Sequence, residues 1–311
     1  MSCPSRMVIA DLSDLGTDRP IPEIAVIINV GTKYVATLAL LSTLRYAKIP
    51  TLVIDCESAD GSLEWFRSLM DAHDFHLMSA PLRQHGETLD RIFREITADR
   101  ILLVDSDAEM LNDAMFVQMR AMLETMPWSY GAGYLHPAHW LECHYFSGLP
   151  IASGIGYYME RPWIPFTLLR VETIRMALAR GRSFMHRLVR NDVTRSRVLS
   201  RLLWARFRFP FFRKHRLSWL DLTRGEYNGE RPSYVSYDTG ADIHEFLTRD
   251  MKLQFGTVSA DFVPWSVNHF SGITRAALNA NASDDAYRLS DAHPAIVQRL
   301  KDLYRIDLLE F

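Results

Sequence analysis

Apolar residues run without interruption from Ile24 to Val30 (Ile-Ala-Val-Ile-Ile-Asn-Val), with β-branched side chains dominating and one asparagine near the end. A short continuous run of this kind predicts a strand buried on both faces. Gly31 and Thr32 break it, after which Val35, Leu38, Leu41 and Leu44 recur at helical spacing through Tyr46, and Pro50 closes that helix. A second strand is predicted over 51–55, a helix over 63–72 capped by Asp60 or Ser62, a weak strand over 75–79, a helix over 88–97 and a fourth strand over 100–105. Strand and helix thus alternate four times in about a hundred residues, which predicts an α/β fold with a mostly parallel sheet and helices on both faces.

The later pattern is less regular. Segments 128–134 and 151–158 read as strands interrupted by Gly131, Gly133, Gly154 and Gly156, and 171–179 reads as a helix. No repeat or low-complexity linker divides the chain, so one domain is expected. Its two halves cover residues 22–135 and 136–275, followed by a helical tail over 276–311.

Composition narrows the class. The chain has 311 residues, 48% hydrophobic and 23% charged, which excludes intrinsic disorder and a disulfide-stapled miniature. With 35 basic and 37 acidic residues, the net charge of −2 is too balanced for a protein that coats nucleic acid. Cys3, Cys56 and Cys143 sit at no zinc-ligand spacing and point to a reducing, cytoplasmic setting. No stretch approaches the ~20 apolar residues of a membrane-spanning helix. Charge is nonetheless unevenly placed, for Arg180 to Arg216 holds twelve basic residues and one acid, Asp192. Trp204, Phe209, Phe211, Phe212 and Trp219 lie in or beside this stretch. A basic aromatic segment over 180–219 suits an anionic membrane surface or a phosphate-rich glycolipid, and equally a solvent-facing helical insertion. Nucleic acid is the least favoured partner, since no recognised binding module accompanies the segment.

The most informative stretch is Ile101-Leu102-Leu103-Val104-Asp105-Ser106-Asp107-Ala108-Glu109-Met110, an apolar strand ending in two carboxylates one residue apart. In open α/β sheets ligands sit outside the carboxyl ends of the strands. Hard oxygen ligands there suit Mg²⁺ or Mn²⁺, whose shell is completed by waters and substrate phosphates. The alternative is a turn that Asp105 caps and Asp107 solvates.

At this point the chain resembles the nucleotide-sugar glycosyltransferases of the GT-A fold, particularly the broad family 2-like group. The segment Val53-Ile54-Asp55-Cys56-Glu57-Ser58-Ala59-Asp60-Gly61-Ser62 is similar to that family's Val-Asp-Asn-x-Ser-x-Asp-Gly pattern, departing at Cys56-Glu57. Ser266-Val267-Asn268-His269-Phe270-Ser271-Gly272-Ile273-Thr274 resembles its late His-x-x-Gly-x-Ser/Thr element. The resemblance implies a nucleotide-diphosphate sugar donor and a saccharide or glycolipid acceptor, with the first half holding the donor and the second the acceptor. It implies that Asp105 and Asp107 hold the metal with His269 as third ligand. Asp55 would take a hydrogen bond from the nucleobase, while Asn29, Val30, Gly31 and Ser106 line the nucleotide sugar. Arg83 is a candidate phosphate or base contact, or else a solvated arginine. Asp238 is the candidate base for an inverting transfer, with Asp242 and Glu245 competing and an N-terminal cap as the alternative. A lipid-linked saccharide or lipopolysaccharide at the cytoplasmic face of a membrane is the expected acceptor. A sugar-phosphate nucleotidyltransferase is disfavoured because Gly31-Thr32-Lys33 offers too few glycines and basic groups for a triphosphate. A dinucleotide dehydrogenase lacks its Gly-x-Gly-x-x-Gly after the first strand. The non-catalytic alternative is a GT-A-like protein that binds a membrane or a partner.

Overall fold

The computed structural model describes residues 7–16, 21–136, 140–142, 155–158, 160–190, 234–270, 273 and 294–306. Most of the basic aromatic segment, residues 191–219, lies outside them, as do Gly154, three residues of the late motif (Ser271, Gly272, Thr274) and residues 276–293 and 307–311 of the expected tail.

Four strands and their helices follow the expected alternation: β2 (Ile21–Asn29), α1 (Lys33–Tyr46), β3 (Thr51–Asp55), α2 (Ser62–Leu69), β4 (His76–Ser79), α3 (His85–Glu95) and β5 (Ala98–Asp105). A short strand β1 (Met7–Ile9) precedes them and pairs in parallel with β4. After β5 come β6 (Ala108–Met110), α4 (Ala114–Thr125), β7 (Ser129–His136), β8 (Trp140–Glu142), β9 (Ile155–Tyr158), β10 (Arg161–Arg170) and α5 (Val171–Ala179). The described remainder comprises β11 (Arg187–Arg190), β12 (Tyr234–Tyr237), α6 (Ala241–Glu245), β13 (Gln254–Val258), α7 (Val263–Ser266), β14 (Val267–His269) and α8 (Pro294–Tyr304).

The main sheet has eight strands in the order β1-β4-β3-β2-β5-β10-β7-β13, and only β10 runs antiparallel to its neighbours. Alternate residues of the central strands feed two cores. Ile24, Val26, Leu52, Ile54, Ile101 and Leu103 pack with α3, α5 and α6, whereas Ala25, Ile27, Val53, Leu102 and Val104 pack with α1, α2 and α4. The sheet is therefore apolar on both faces and covered by helices on both, as the uninterrupted apolar runs require. No described helix is long and apolar enough to cross a membrane.

The second half holds strands beyond the two expected over 128–134 and 151–158, namely β8, β10, β11, β12, β13 and β14. β10 is a ten-residue strand wedged between β5 and β7, in a stretch where the sequence suggests none. Pro162 and Pro165 lie in its first half, where its register with β7 shifts, and the regular pairing with both neighbours resumes from Phe166 and Thr167. Proline cannot donate to a ladder and so belongs at such irregularities. A second sheet, β11-β12-β9-β8, and a two-stranded ribbon, β14-β6, complete the described strands.

Candidate active site

β2 has β3 on one side and β5 on the other, both parallel to it, so the chain winds in opposite directions from this strand. That makes a topological switch point, and open α/β sheets bind ligands outside the carboxyl ends of the strands at such a point, here those of β2, β3 and β5. The registers bring chemistry to that edge: Asn29 lies opposite Asp55, and Ile28 opposite Asp105.

On the β2–β3 side the polar groups form a closed network. The Asn29 amide donates to Asp55 Oδ1 (2.9 Å) and to Ser58 Oγ (3.1 Å), and the Ser58 backbone N–H donates to Asp55 Oδ2 (3.3 Å). Gly31 takes a left-handed φ of 61°, and its N–H donates to Ser58 Oγ at 2.8 Å. Glycine adopts this conformation without steric cost. Thr32 Oγ1 donates to Asn29 Oδ1 (2.8 Å) and is hydrogen-bonded to the Ser106 hydroxyl (3.2 Å), which ties the turn after β2 to the turn after β5. Asp55 is only 1% exposed with both oxygens engaged, so it ties the end of β2 to the turn after β3, while Asn29 and Ser106 are likewise buried and Val30 and Gly31 are half-buried. Arg83 lies apart from this network, exposed on the approach to α3 and ion-paired with Glu87 at 2.7 Å.

On the β5 side, Asp105 ends the strand, Asp107 turns back into β6, and β6 pairs with β14 so that Ala108 faces His269. Two further backbone bonds fasten this ribbon, from the Phe270 N–H to the Asp107 carbonyl and from the Leu111 N–H to the Ser266 carbonyl, each 2.8 Å. His269 Nε2 thereby comes within 3.2 Å of Asp107 Oδ1. One ligand atom from each of Asp105, Asp107 and His269 lies within 4.8 Å of the others, and this is the one such group among the described residues. The Trp163 ring stands perpendicular to His269, 5.4 Å away.

The electrostatics of the three residues fit a cation. Burial raises the Asp105 carboxyl above the ordinary carboxylate value, and the charge of Asp107 adds to this while His85 and His269 oppose it. Burial works against the His269 imidazolium, but its hydrogen bond to Asp107 and the charges of Asp107 and Asp105 outweigh that and hold its pKa above the ordinary histidine value. Burial of Asp105 beside Asp107, with His269 drawn to both, gathers negative charge at this turn that a cation would balance. An oxygen-rich set with one imidazole suits Mn²⁺, and Mg²⁺ less well.

The three acids expected to serve as base have unequal surroundings. Asp238 is half-buried and paired with Arg161 at 2.8 Å, while its Oδ1 also accepts from the Thr239 N–H at 2.8 Å. Asp242 is fully enclosed, accepting from Arg182 (3.1 Å), Arg187 (2.7 Å) and the Ser183 N–H (3.3 Å). Glu245 accepts from the Tyr237 hydroxyl and from Arg249. Sequence reasoning missed Glu160 and His244, which are hydrogen-bonded to each other at 3.0 Å, and it missed Trp163. None of these belongs to a motif; only the placement of β10 reveals them.

No family model and no curated protein matches the chain. Among solved structures it is similar to the mannosyltransferase PcManGT from Pyrobaculum calidifontis in complex with GDP-Man and Mn²⁺, at 14% identity and a TM-score of 0.47 over 94% of this chain and 74% of that one. It is also similar to residues 1–349 of S. aureus TarS in complex with UDP (12% identity, TM-score 0.36, 93% and 77% covered). A third is the 4-diphosphocytidyl-2C-methyl-D-erythritol synthase of Anaerococcus prevotii DSM 20548 (9%, 0.37, 52% and 75%).

Proposed function

We propose that the protein is a metal-dependent glycosyltransferase of the GT-A type, moving a sugar from a nucleotide-diphosphate sugar to an acceptor hydroxyl. The observation that carries this reading is the convergence of Asp105, Asp107 and His269 at the switch-point crevice. Mn²⁺ or Mg²⁺ held there would neutralise the negative charge that develops on a departing diphosphate. The chain's own residues do the rest. Val30 and Gly31 offer backbone along the crevice wall, while Asn29 and Asp55 hold the turn that shapes it. Ser106 and Thr32 lock that wall to the acidic turn, so donor and cation sites keep a fixed separation. Arg83 reaches a phosphate only if it leaves Glu87. The acceptor hydroxyl passes its proton to a carboxylate on the second-half side of the crevice, for which Asp238 is the candidate from sequence.

The basic aromatic segment 180–219 supports an acceptor presented at an anionic surface, such as a lipid-linked saccharide or lipopolysaccharide at the cytoplasmic face of a membrane. Thermal unfolding with UDP-glucose, UDP-N-acetylglucosamine and GDP-mannose, with and without Mn²⁺, tests the reading. A donor that stabilises the protein only with the metal, and fails to do so in Asp107→Ala, is the expected result. Equal stabilisation of Asp107→Ala, or none of the wild type, refutes it. A protein that binds membranes without turnover would release no free sugar from any of these donors.

A further inference from the structure

A second chain of titratable groups runs through the core toward the same edge of the sheet. The Tyr130 hydroxyl lies 2.5 Å from His244 Nδ1, and His244 Nε2 lies 3.0 Å from Glu160 Oε1. Tyr130 and His244 are each 1% exposed, and Phe255 packs against both rings. The Glu160 side chain is 28% exposed. An ionised carboxylate has no proton to give, so the hydrogen in the 3.0 Å contact is on Nε2, and Nδ1 is left to face the Tyr130 hydroxyl, which can both donate and accept. The buried series therefore links Tyr130 through His244 to Glu160. The series ends on a carboxylate whose Oε2 has no hydrogen-bond partner among the described residues. Two buried polar side chains spent on orienting one half-exposed carboxylate are more than packing requires.

The position of Glu160 follows from the strand register. Phe166 of β10 pairs with Val104 of β5, so the residues before Phe166 run past the carboxyl end of β5, alongside the Asp105–Asp107 turn. Trp163 already touches His269 there. Glu160 is three residues further back, its Cα within about 11 Å of that of Trp163 even if the chain is fully extended. α6, which carries His244, seats against this stretch, for a Cβ on Gly240 would lie 3.1 Å from Ile164.

We infer that Glu160 is the base that deprotonates the acceptor hydroxyl, with His244 and Tyr130 as its positioning residues; this rests on the transferase reading above. The three acids expected from sequence are each committed to cations or donors, as the arginine contacts of Asp238 and Asp242 show. In the step itself, the acceptor oxygen forms a bond to the anomeric carbon as the bond from that carbon to the diphosphate oxygen breaks. The bonding pair leaves on the diphosphate, and the hydroxyl proton passes to Glu160 Oε2 and then to solvent. Attack from the face opposite the leaving group inverts the anomeric configuration.

The test uses the full chain with Mn²⁺ and whichever of the three donors above it cleaves, with water as acceptor. Glu160→Gln keeps an oxygen for His244 to donate to, so it should unfold within about 2 °C of the wild type. It should bind donor unchanged while kcat falls about 10²–10⁴-fold at constant KM. Glu160→Asp, which retracts the carboxylate by one methylene, should fall by at least ten-fold and guards against misfolding of the first variant. His244→Gln, still a donor to Glu160, should retain more kcat than His244→Phe. The sugar released at first should carry the inverted configuration by NMR. Normal kcat in Glu160→Gln, the same kcat loss appearing instead in Asp238→Asn, or a retained configuration overturns the inference and leaves the transferase reading standing. Absence of any metal-dependent donor binding by the wild type removes both.

Discussion

Replacing Arg299 by alanine should loosen the protein far from the crevice and be felt inside it. Glu109, in β6, is 1% exposed, and the described groups that neutralise it come from α8. Arg299 Nε donates to both of its oxygens (3.1 and 2.8 Å), and Arg299 Nη2 donates to Oε1 at 2.8 Å. Removing one member of a buried pair costs about 3–5 kcal/mol, because the survivor keeps its charge without its partner. The Arg299 side chain is itself 35% exposed, so water can partly refill the space it leaves and the loss should sit near the lower limit, about 3 kcal/mol. For a chain of this size each kcal/mol lowers Tm by about 2 °C, giving a drop of about 6 °C. Calorimetry reads that drop. Hydrogen exchange should show α8 losing protection along with its contacts to α1, where Ile296 and Leu300 pack on Val35, Leu38 and Leu41. Adding Glu109→Gln to Arg299→Ala should recover part of the loss, since an uncharged amide is cheaper to bury. A Tm within 1 °C of the wild type, or a double variant no better than the single one, would refute the assignment of a paired buried charge.

Cys56 should resist alkylation at pH 8 until the protein unfolds: burial, with Asp55 and Glu57 adding negative charge, pushes its thiol up to about 12. Labelling at the rate of a free thiol would contradict this. His76 is buried with no hydrogen-bond partner for Nδ1 among the described residues, and burial lowers its pKa below 6.5 against the opposing charge of Asp74. Below pH 6.5 the unfolded chain therefore takes up a proton that the folded one resists, and stability falls as the medium is acidified by up to about 1.4 kcal/mol per pH unit. His76→Leu should flatten the dependence of Tm on pH between 6.5 and 5.5, and an unchanged slope would exclude His76 as a source. Gly86→Ala should destabilise by about 2–3 kcal/mol, because its Cβ would lie 2.5 Å from Met185 Cα and the Phe184 carbonyl oxygen. A neutral substitution there, by urea denaturation, would mean that the loop carrying Phe184 moves freely.

The first half was legible because its strands are buried on both faces and so betray themselves as unbroken apolar runs: β2, β3 and β5 lie close to where their residues predict them. Asp105 and Asp107 could be singled out because a strand end in a parallel sheet is a chemically defined place. β10 was opaque because two prolines interrupt its apolar pattern before the regular ladder begins. The β6–β14 ribbon was opaque for another reason, since strands of three residues are too short to show a period. Glu160 and His244 are 84 positions apart and belong to no pattern; their pairing exists only once β10 and α6 have been folded against each other.

The ribbon has a consequence for how the protein comes into being. Asp107 leaves the ribosome long before His269, and Arg299, which braces the strand between them, follows later still. At roughly 5–20 residues per second, translation separates the two residues by about 10–30 seconds. During that interval the nascent chain already displays its acidic turn but lacks the imidazole and the clasp that would complete it. Incomplete translation products that stop short of residue 269 should accordingly be poor chelators, and competence should arrive abruptly, once His269 and then Arg299 have emerged.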